Sequence, residues 1–180
     1  MTQGAPSNYT NLANEPPDHG IGRSRGGLST KIHTLVDGAG MPLVVLTAPG
    51  QAGDAPMFPI LMGHLNVARS RGGPSRNCPD KVRGDKAYSS KAIRDLLRAK
   101  GAVAVIPQPS DQIAKRKRKG RHGGRPPAFD AQDYKGRNVV ERSFCRTKQW
   151  RGIATRYDKY NLNYRGGVIL NAIVAWLKRL

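Results

Sequence analysis

The feature that most constrains this chain is where its charge lies. Residues 91–180 hold 22 basic and 6 acidic side chains, whereas residues 1–90 hold 9 and 6. A half-chain with that excess repels itself on compaction unless anions neutralise it. A nucleic acid is therefore the first partner to expect, because phosphate neutralisation drives sequence-independent binding. The 180 residues suit one domain, and an apolar share of 38% leaves little core to spare. Only Glu15 and Glu141 among the 12 acids are Glu, so a lone Glu stands inside the basic half.

Other classes are set aside quickly. Cys78 and Cys145 make no disulfide framework, and no Cys/His spacing suggests zinc. Met1 to Gly20 has no apolar core of a signal peptide. Val168 to Leu177 is the longest apolar stretch, is broken by Asn171, and is too short to span a bilayer. A cytoplasmic protein with no membrane partner is expected.

Residues 1–21 read as irregular, with a basic, flexible lead-in continuing to Gly27. Leu28 to Val36 alternates with period two, turns at Asp37-Gly38-Ala39-Gly40, and is followed by the apolar run Pro42 to Ala48, which predicts a hairpin. A helix is expected to start between Asp54 and Pro59, with Met57, Ile60, Leu61 and Leu65 facing inward. Lys81 to Asp85 reads as a strand. A helix capped by Ser89 or Ser90 follows, with Ile93, Leu96 and Leu97 inside and Gly101 at its end. Ala102 to Ile106 is a second short strand. Residues 108–130 read as a basic insertion or loop, with seven cations between Lys115 and Arg125. Helix-compatible sequence returns from Asp133. A closing amphipathic helix is expected to face inward through Ile169, Ile173, Trp176, Leu177 and Leu180. The order predicts a mixed α/β fold.

Two constellations could carry chemistry. Tyr134, Arg137, Glu141 and Lys148 fall within roughly 60° on a helix at 100° per residue. Between Tyr134 and Arg156 Glu141 is the sole acid against seven cations. A carboxylate there repels phosphate, unless it holds a divalent metal that bridges to phosphate. The plain alternative is a surface salt bridge to a neighbouring cation. The second is Gly84-Asp85-Lys86-Ala87-Tyr88. Asp85 ends a short strand, where open α/β sheets bind ligands; the plain alternative is a turn Asp capping the next helix. His33 and His64 receive no role.

Together these segments resemble the DDE transposases of bacterial insertion sequences, of the insertion-sequence-five type. Tyr134-x2-Arg137-x3-Glu141-x6-Lys148 matches the YREK signature without a gap. Gly84 to Tyr88 resembles the segment with the second acid, and Gly22 to His33 and Pro49 to Asp54 also look like the family. The resemblance implies an RNase H-like fold, a mixed five-stranded sheet flanked by helices. It implies that Asp85 and Glu141 are catalytic metal ligands, and that Tyr134, Arg137 and Lys148 contact DNA near the cleaved end. The first, central strand and its acid have no counterpart: Asp18 follows no strand, and Asp37 and Asp54 sit at a turn and a helix start. The chain is thus expected to be a C-terminal part of such a domain, encompassing 22–180, with two acids of three.

The chemistry implied is phosphoryl transfer in DNA transposition, using two Mg²⁺ (or Mn²⁺) ions once a third acid completes the site. The DNA partners would be transposon ends and target. An upstream-encoded segment fused by frameshifting, a partner chain or a homo-oligomer would complete the site. Lys115, Arg116, Lys117, Arg118 and Lys119 are expected to track DNA. The alternatives are a non-catalytic DNA-binding transposase fragment, regulatory or remnant, and a basic RNA-binding protein. The paired acids argue against the latter.

Overall fold

Period-two sequence becomes an antiparallel sheet. A computed structural model describes residues 19–179. Its first sheet runs in the order β1 (Gly22–Ser24), β2 (Gly27–Val36), β3 (Pro42–Pro49). The β2–β3 hairpin is as expected. Asp37 Oδ1 accepts from the backbone N–H groups of Ala39 and Met41, both at 2.8 Å, and fixes the turn. Gly40 is at φ +79°, and a Cβ there would lie 2.9 Å from the carbonyl oxygen of Val139, so only glycine fits this contact. Strand β1 corrects the expectation of a flexible lead-in at that point. A tight turn closes on Gly27 at φ +109°, and pairing to β2 satisfies backbone groups that apolar periodicity does not report. Residues 1–18 of the expected irregular segment lie outside the described residues.

A second sheet pairs β4 (Lys81–Arg83) with β5 (Val103–Val105) in parallel. The crossover helix α2 (Lys91–Ala99) joins them. Ser90 Oγ caps it by accepting from Ile93 N at 3.3 Å, and Gly101 at φ +75° follows its end. Helix α1 (Asp54–Gly63) precedes β4. It buries Phe58, Leu61 and Met62, with Leu65 just beyond, whereas Ile60 faces solvent against expectation. Phe58 sets the register: 58, 61, 62 and 65 form a full helical face, and 60 falls outside it.

One core joins the two sheets beneath α1 and α2, through Val44, Leu46, Phe58, Leu61, Met62, Ile93, Leu97 and Ile106. Each such side chain contributes about 1.5–3 kcal/mol of burial. On the opposite face of the hairpin, Val45 packs with Ile153, Tyr164 and Val168 of α6 (Arg151–Ala154) and α7 (Asn161–Leu177). Here the sequence misleads. Helix α7 buries Tyr164, Val168, Asn171 and Ala172, while Ile169, Ile173, Trp176 and Leu177 are exposed. The buried stripe is turned by one residue because Tyr164 docks inside, its hydroxyl donating to the carbonyl of Ile153 at 2.9 Å. Leu180 lies outside the described residues.

The stretch read as a basic loop contains helix α3 (Ser110–Arg118). It buries nothing. Asp111 in its first turn and four cations in its last complement the helix dipole, and Gln, Lys and Arg are good helix formers, so it forms without a core-facing stripe.

Among the described residues β4 has a ladder partner on one edge only, β5. Residues 30–36 of β2 likewise pair with β3 alone, since β1 covers only 27–29 of the other edge. No helix among the described residues is long and apolar enough to cross a membrane.

Candidate active site

Asp85 lies two residues beyond β4, at the strand's carboxyl end. One of its oxygens accepts from the backbone N–H of Lys86 and caps the 3₁₀ turn Lys86–Tyr88. The other, Oδ2, lies 3.4 Å from an Arg137 guanidinium nitrogen. Glu141 sits one turn into α5 (Asn138–Lys148), and its Oε1 accepts from Arg137 Nη1 at 2.9 Å. One guanidinium therefore spans two carboxylates that come from distant parts of the chain. Both carboxylates are about half exposed, whereas Arg137 is 27% exposed. The turn-capping role and the salt bridge that the sequence allows for these acids are both present, in a single cluster.

Below the pair lies Tyr88, whose ring meets Phe58 at 5.6 Å between centroids. Burial pushes the Tyr88 phenol up, the negative charges of Asp54 and Asp85 push the same way, and Arg137 opposes them. The Tyr88 phenol thus stays neutral within the field of Asp54 and Asp85. His33 on β2 is buried and 4.0 Å from Asp54; burial lowers its pKa against the pull of that carboxylate. Its Nε2 has no hydrogen-bond partner among the described residues.

Tyr134, Arg137, Glu141 and Lys148 do not share one helix. Helix α4 (Ala131–Tyr134) ends at Tyr134, a 3₁₀ turn covers Lys135–Arg137, and only Glu141 and Lys148 lie on α5. The tighter turn advances about 120° per residue rather than 100°, which swings Tyr134 roughly 60° off the stripe. Its ring packs instead on Phe129, 5.4 Å away. Gly136 permits the tight turn to approach β4, since a Cβ there would lie 3.0 Å from Arg83 Nε. Lys148 is exposed at the end of α5 and has no partner among the described residues.

What holds this run over Asp85 is a residue that sequence reasoning missed. Asp133 ion-pairs with Arg83 of β4 and with Lys81 Nζ at 3.1 Å. Arg83 Nε also donates to the Asp133 carbonyl at 2.9 Å. No spacing signals an ion pair between residues so far apart. The hydrogen-bonded Arg83 guanidinium holds the Asp133 carboxyl below the usual carboxylate range, against partial burial, with help from Lys81. A folded pKa below the unfolded value means stability that is present above about pH 4 and lost as pH falls through the folded pKa. Asp133→Asn is expected to unfold at lower urea than wild type at pH 7. The gap should close below about pH 4; a gap independent of pH would remove the ion pairs as its cause.

Not all of the basic half faces outward. Arg94 donates to the carbonyl of Ile106 at 2.7 Å, Arg165 to that of Val45 at 3.1 Å, and Arg146 to that of Gly40. These arginines brace backbone carbonyls, Arg94 and Arg165 from half-buried positions and Arg146 from an exposed one. On α3, Lys115, Lys117 and Arg118, with Lys119 after it, have no partners among the described residues, while Arg116 is held by Gln108. Ser89 Oγ donates to Gln112 at 3.1 Å, which ties α3 to the turn that follows Asp85.

Asp85 and Glu141 suit one divalent ion in part. Mg²⁺ is commonly held by one or two carboxylates, water and substrate phosphate. No group of three or more His, Cys, Asp or Glu that could hold a metal occurs among the described residues.

Three comparisons bear on this site. The family described as Transposase DDE domain matches residues 5–177. The chain is also similar to a Brucella ovis protein provisionally described as a transposase for insertion sequence element IS6501. The two are 28% identical over 155 residues, which span 84% of this chain and all of that protein. No solved structure matches.

Proposed function

The chain belongs to the family of transposases with a DDE domain, and from that premise we propose that it binds DNA and contributes Asp85 and Glu141 to a metal-dependent phosphoryl-transfer site. The observation that carries this reading is their convergence on Arg137 from separate elements. Divalent ions held there would stabilise the charge developing on a transferring phosphodiester and its attacking and leaving oxygens. The YREK spacing supports assigning Arg137 and Lys148 to phosphates of the cleaved end, as in the insertion-sequence-five type. Tyr134 would bound that surface from its place on Phe129. Lys115 to Lys119 extend it along α3.

The domain is read as an incomplete RNase H-like sheet. A strand laid against residues 30–36 of β2 and the open edge of β4 would join the two sheets into one mixed sheet with that strand at its centre. That strand would deliver the third carboxylate from another polypeptide segment, either an upstream-encoded one or a second copy. A nicking assay on plasmid DNA with Mg²⁺ or Mn²⁺ tests this. The chain alone is expected to bind without cleaving, and a peptide or fusion supplying an apolar strand ending in Asp should restore cleavage. Robust cleavage by the chain alone would overturn the incomplete-site reading.

A non-catalytic DNA-binding role remains the second reading, favoured by the same open edges. It predicts DNA binding that is indifferent to divalent ions.

A further inference from the structure

A recess of about 330 Å³ lies on the far side of the hairpin turn, between the end of α5 and the end of α7. That is the lower end of the range for small-molecule pockets, about 300–1,000 Å³. Arg146, Lys178 and Arg179 line it, together with Trp150, Met41 and Asn171, and no carboxylate among the described residues does. Arg146 is fixed, donating to the carbonyl of Gly40 and lying 3.8 Å from the sulfur of Met41. Lys178 and Arg179 have no side-chain partners among the described residues. They are exposed cations, available to an anion from outside.

Trp150 gives the recess its second character. Its backbone is pinned at the kink between α5 and α6, the carbonyl accepting from Ile153 N at 2.9 Å and Ala154 N at 3.0 Å. Its indole N–H has no partner among the described residues, in contrast to that of Trp176, which donates to the Pro42 carbonyl at 2.8 Å. A partly exposed indole beside cations is the combination that holds unpaired bases: the ring stacks and the cations take the phosphate. A duplex base pair presents no free face to such a wall.

We infer that this recess binds one unpaired nucleotide of a DNA strand, its base on Trp150 and its phosphate on Lys178 and Arg179. The inference rests on the reading of DNA as partner. Helix α5 connects the two places: eight residues from Glu141 to Gln149 rise about 12 Å, a span of a few nucleotides. A strand whose phosphate lies at the acid pair would therefore reach Trp150 once it leaves the duplex.

Trp150 and Trp176 are the only two tryptophans, so Trp176→Phe leaves Trp150 as the sole indole reporter. Titrating this protein with oligothymidylate is expected to quench its fluorescence. Trp150→Ala should weaken oligothymidylate binding about tenfold while leaving duplex binding within about twofold. The double change Lys178→Ala, Arg179→Ala, at exposed positions, should lower the single-strand salt slope by about 1.4. Oligothymidylate binding without quenching, and with both variants at wild-type affinity, overturns the recess and leaves the DNA reading standing. Quenching by heparin equal to that by oligothymidylate overturns the base-stacking role. Failure of both single-stranded and duplex DNA to bind the protein overturns the DNA reading and the recess with it.

Discussion

Replacing the seven cations between Lys115 and Arg125 with glutamine is expected to lower the log–log salt slope of duplex DNA binding by about 3–5. At about 0.15 M salt the affinity should fall by roughly 10²–10⁴-fold, since each phosphate contact contributes a slope of about 0.9. The argument rests on availability rather than on count. Lys115, Lys117 and Arg118 on α3, and Lys119 after it, have no partners among the described residues, whereas Arg116 is engaged by Gln108. No residue of α3 is buried and glutamine is a good helix former, so the variant should keep its fold. Its unfolding midpoint checks that point. An unchanged salt slope would remove α3 from the DNA surface, and a preference for RNA over DNA in the wild type would favour an RNA-binding role.

The amide variants Asp85→Asn and Glu141→Gln should have the second large effect. Each keeps its structural role: Asn caps as well as Asp does, and Gln retains the oxygen that Arg137 holds at 2.9 Å. Stability should therefore change by less than about 1 kcal/mol, as for exposed ion pairs. Mn²⁺ binding, followed by calorimetry, should weaken by about 100-fold, because losing a ligand charge costs at least as much as losing an outer-shell partner. DNA binding should change sign with conditions. Without divalent ions each variant binds DNA up to about fivefold more tightly, since a charge that repels phosphate by about 1 kcal/mol is gone. With Mg²⁺ the wild type binds more tightly. Identical behaviour of wild type and variants with and without Mg²⁺ would leave the cluster as a salt bridge and favour the non-catalytic reading.

The sequence made the hairpin, α2 and β5 legible because local signals agree there: period two, a Ser cap, and a Gly stop. It made α7 legible as a helix but not its orientation. The Ile169, Ile173, Trp176 stripe looks more apolar than the Tyr164, Val168, Asn171 stripe, yet packing chose the latter. Hydrophobicity counts methylene groups and cannot see that the Tyr164 hydroxyl finds the Ile153 carbonyl. Helix α3 was missed because its stability comes from dipole and propensity, which a search for an apolar face ignores. At the site, helical spacing picked out Arg137 and Glu141 and the strand end picked out Asp85, and the fold brings these three together. It placed Tyr134 on a common helix face that a 3₁₀ turn breaks. Asp133 was invisible, because its partners Lys81 and Arg83 belong to a strand that only tertiary structure brings near.

The two sheets are unequal, and that inequality has a dynamic consequence. The β2–β3 ladder has seven paired positions, whereas β4 and β5 have three. Small ladders open at lower free energy than large ones and exchange their amide hydrogens sooner. Asp85 follows the small ladder, while Glu141 rides on a helix that rests on the large one. The two carboxylates are therefore carried by ladders of unequal length, although one core joins the sheets. Detachment of β4 from β5 would draw Asp85 away from Arg137 and Glu141. Anything that lengthens the small ladder, a neighbouring strand above all, would hold the acids together for longer.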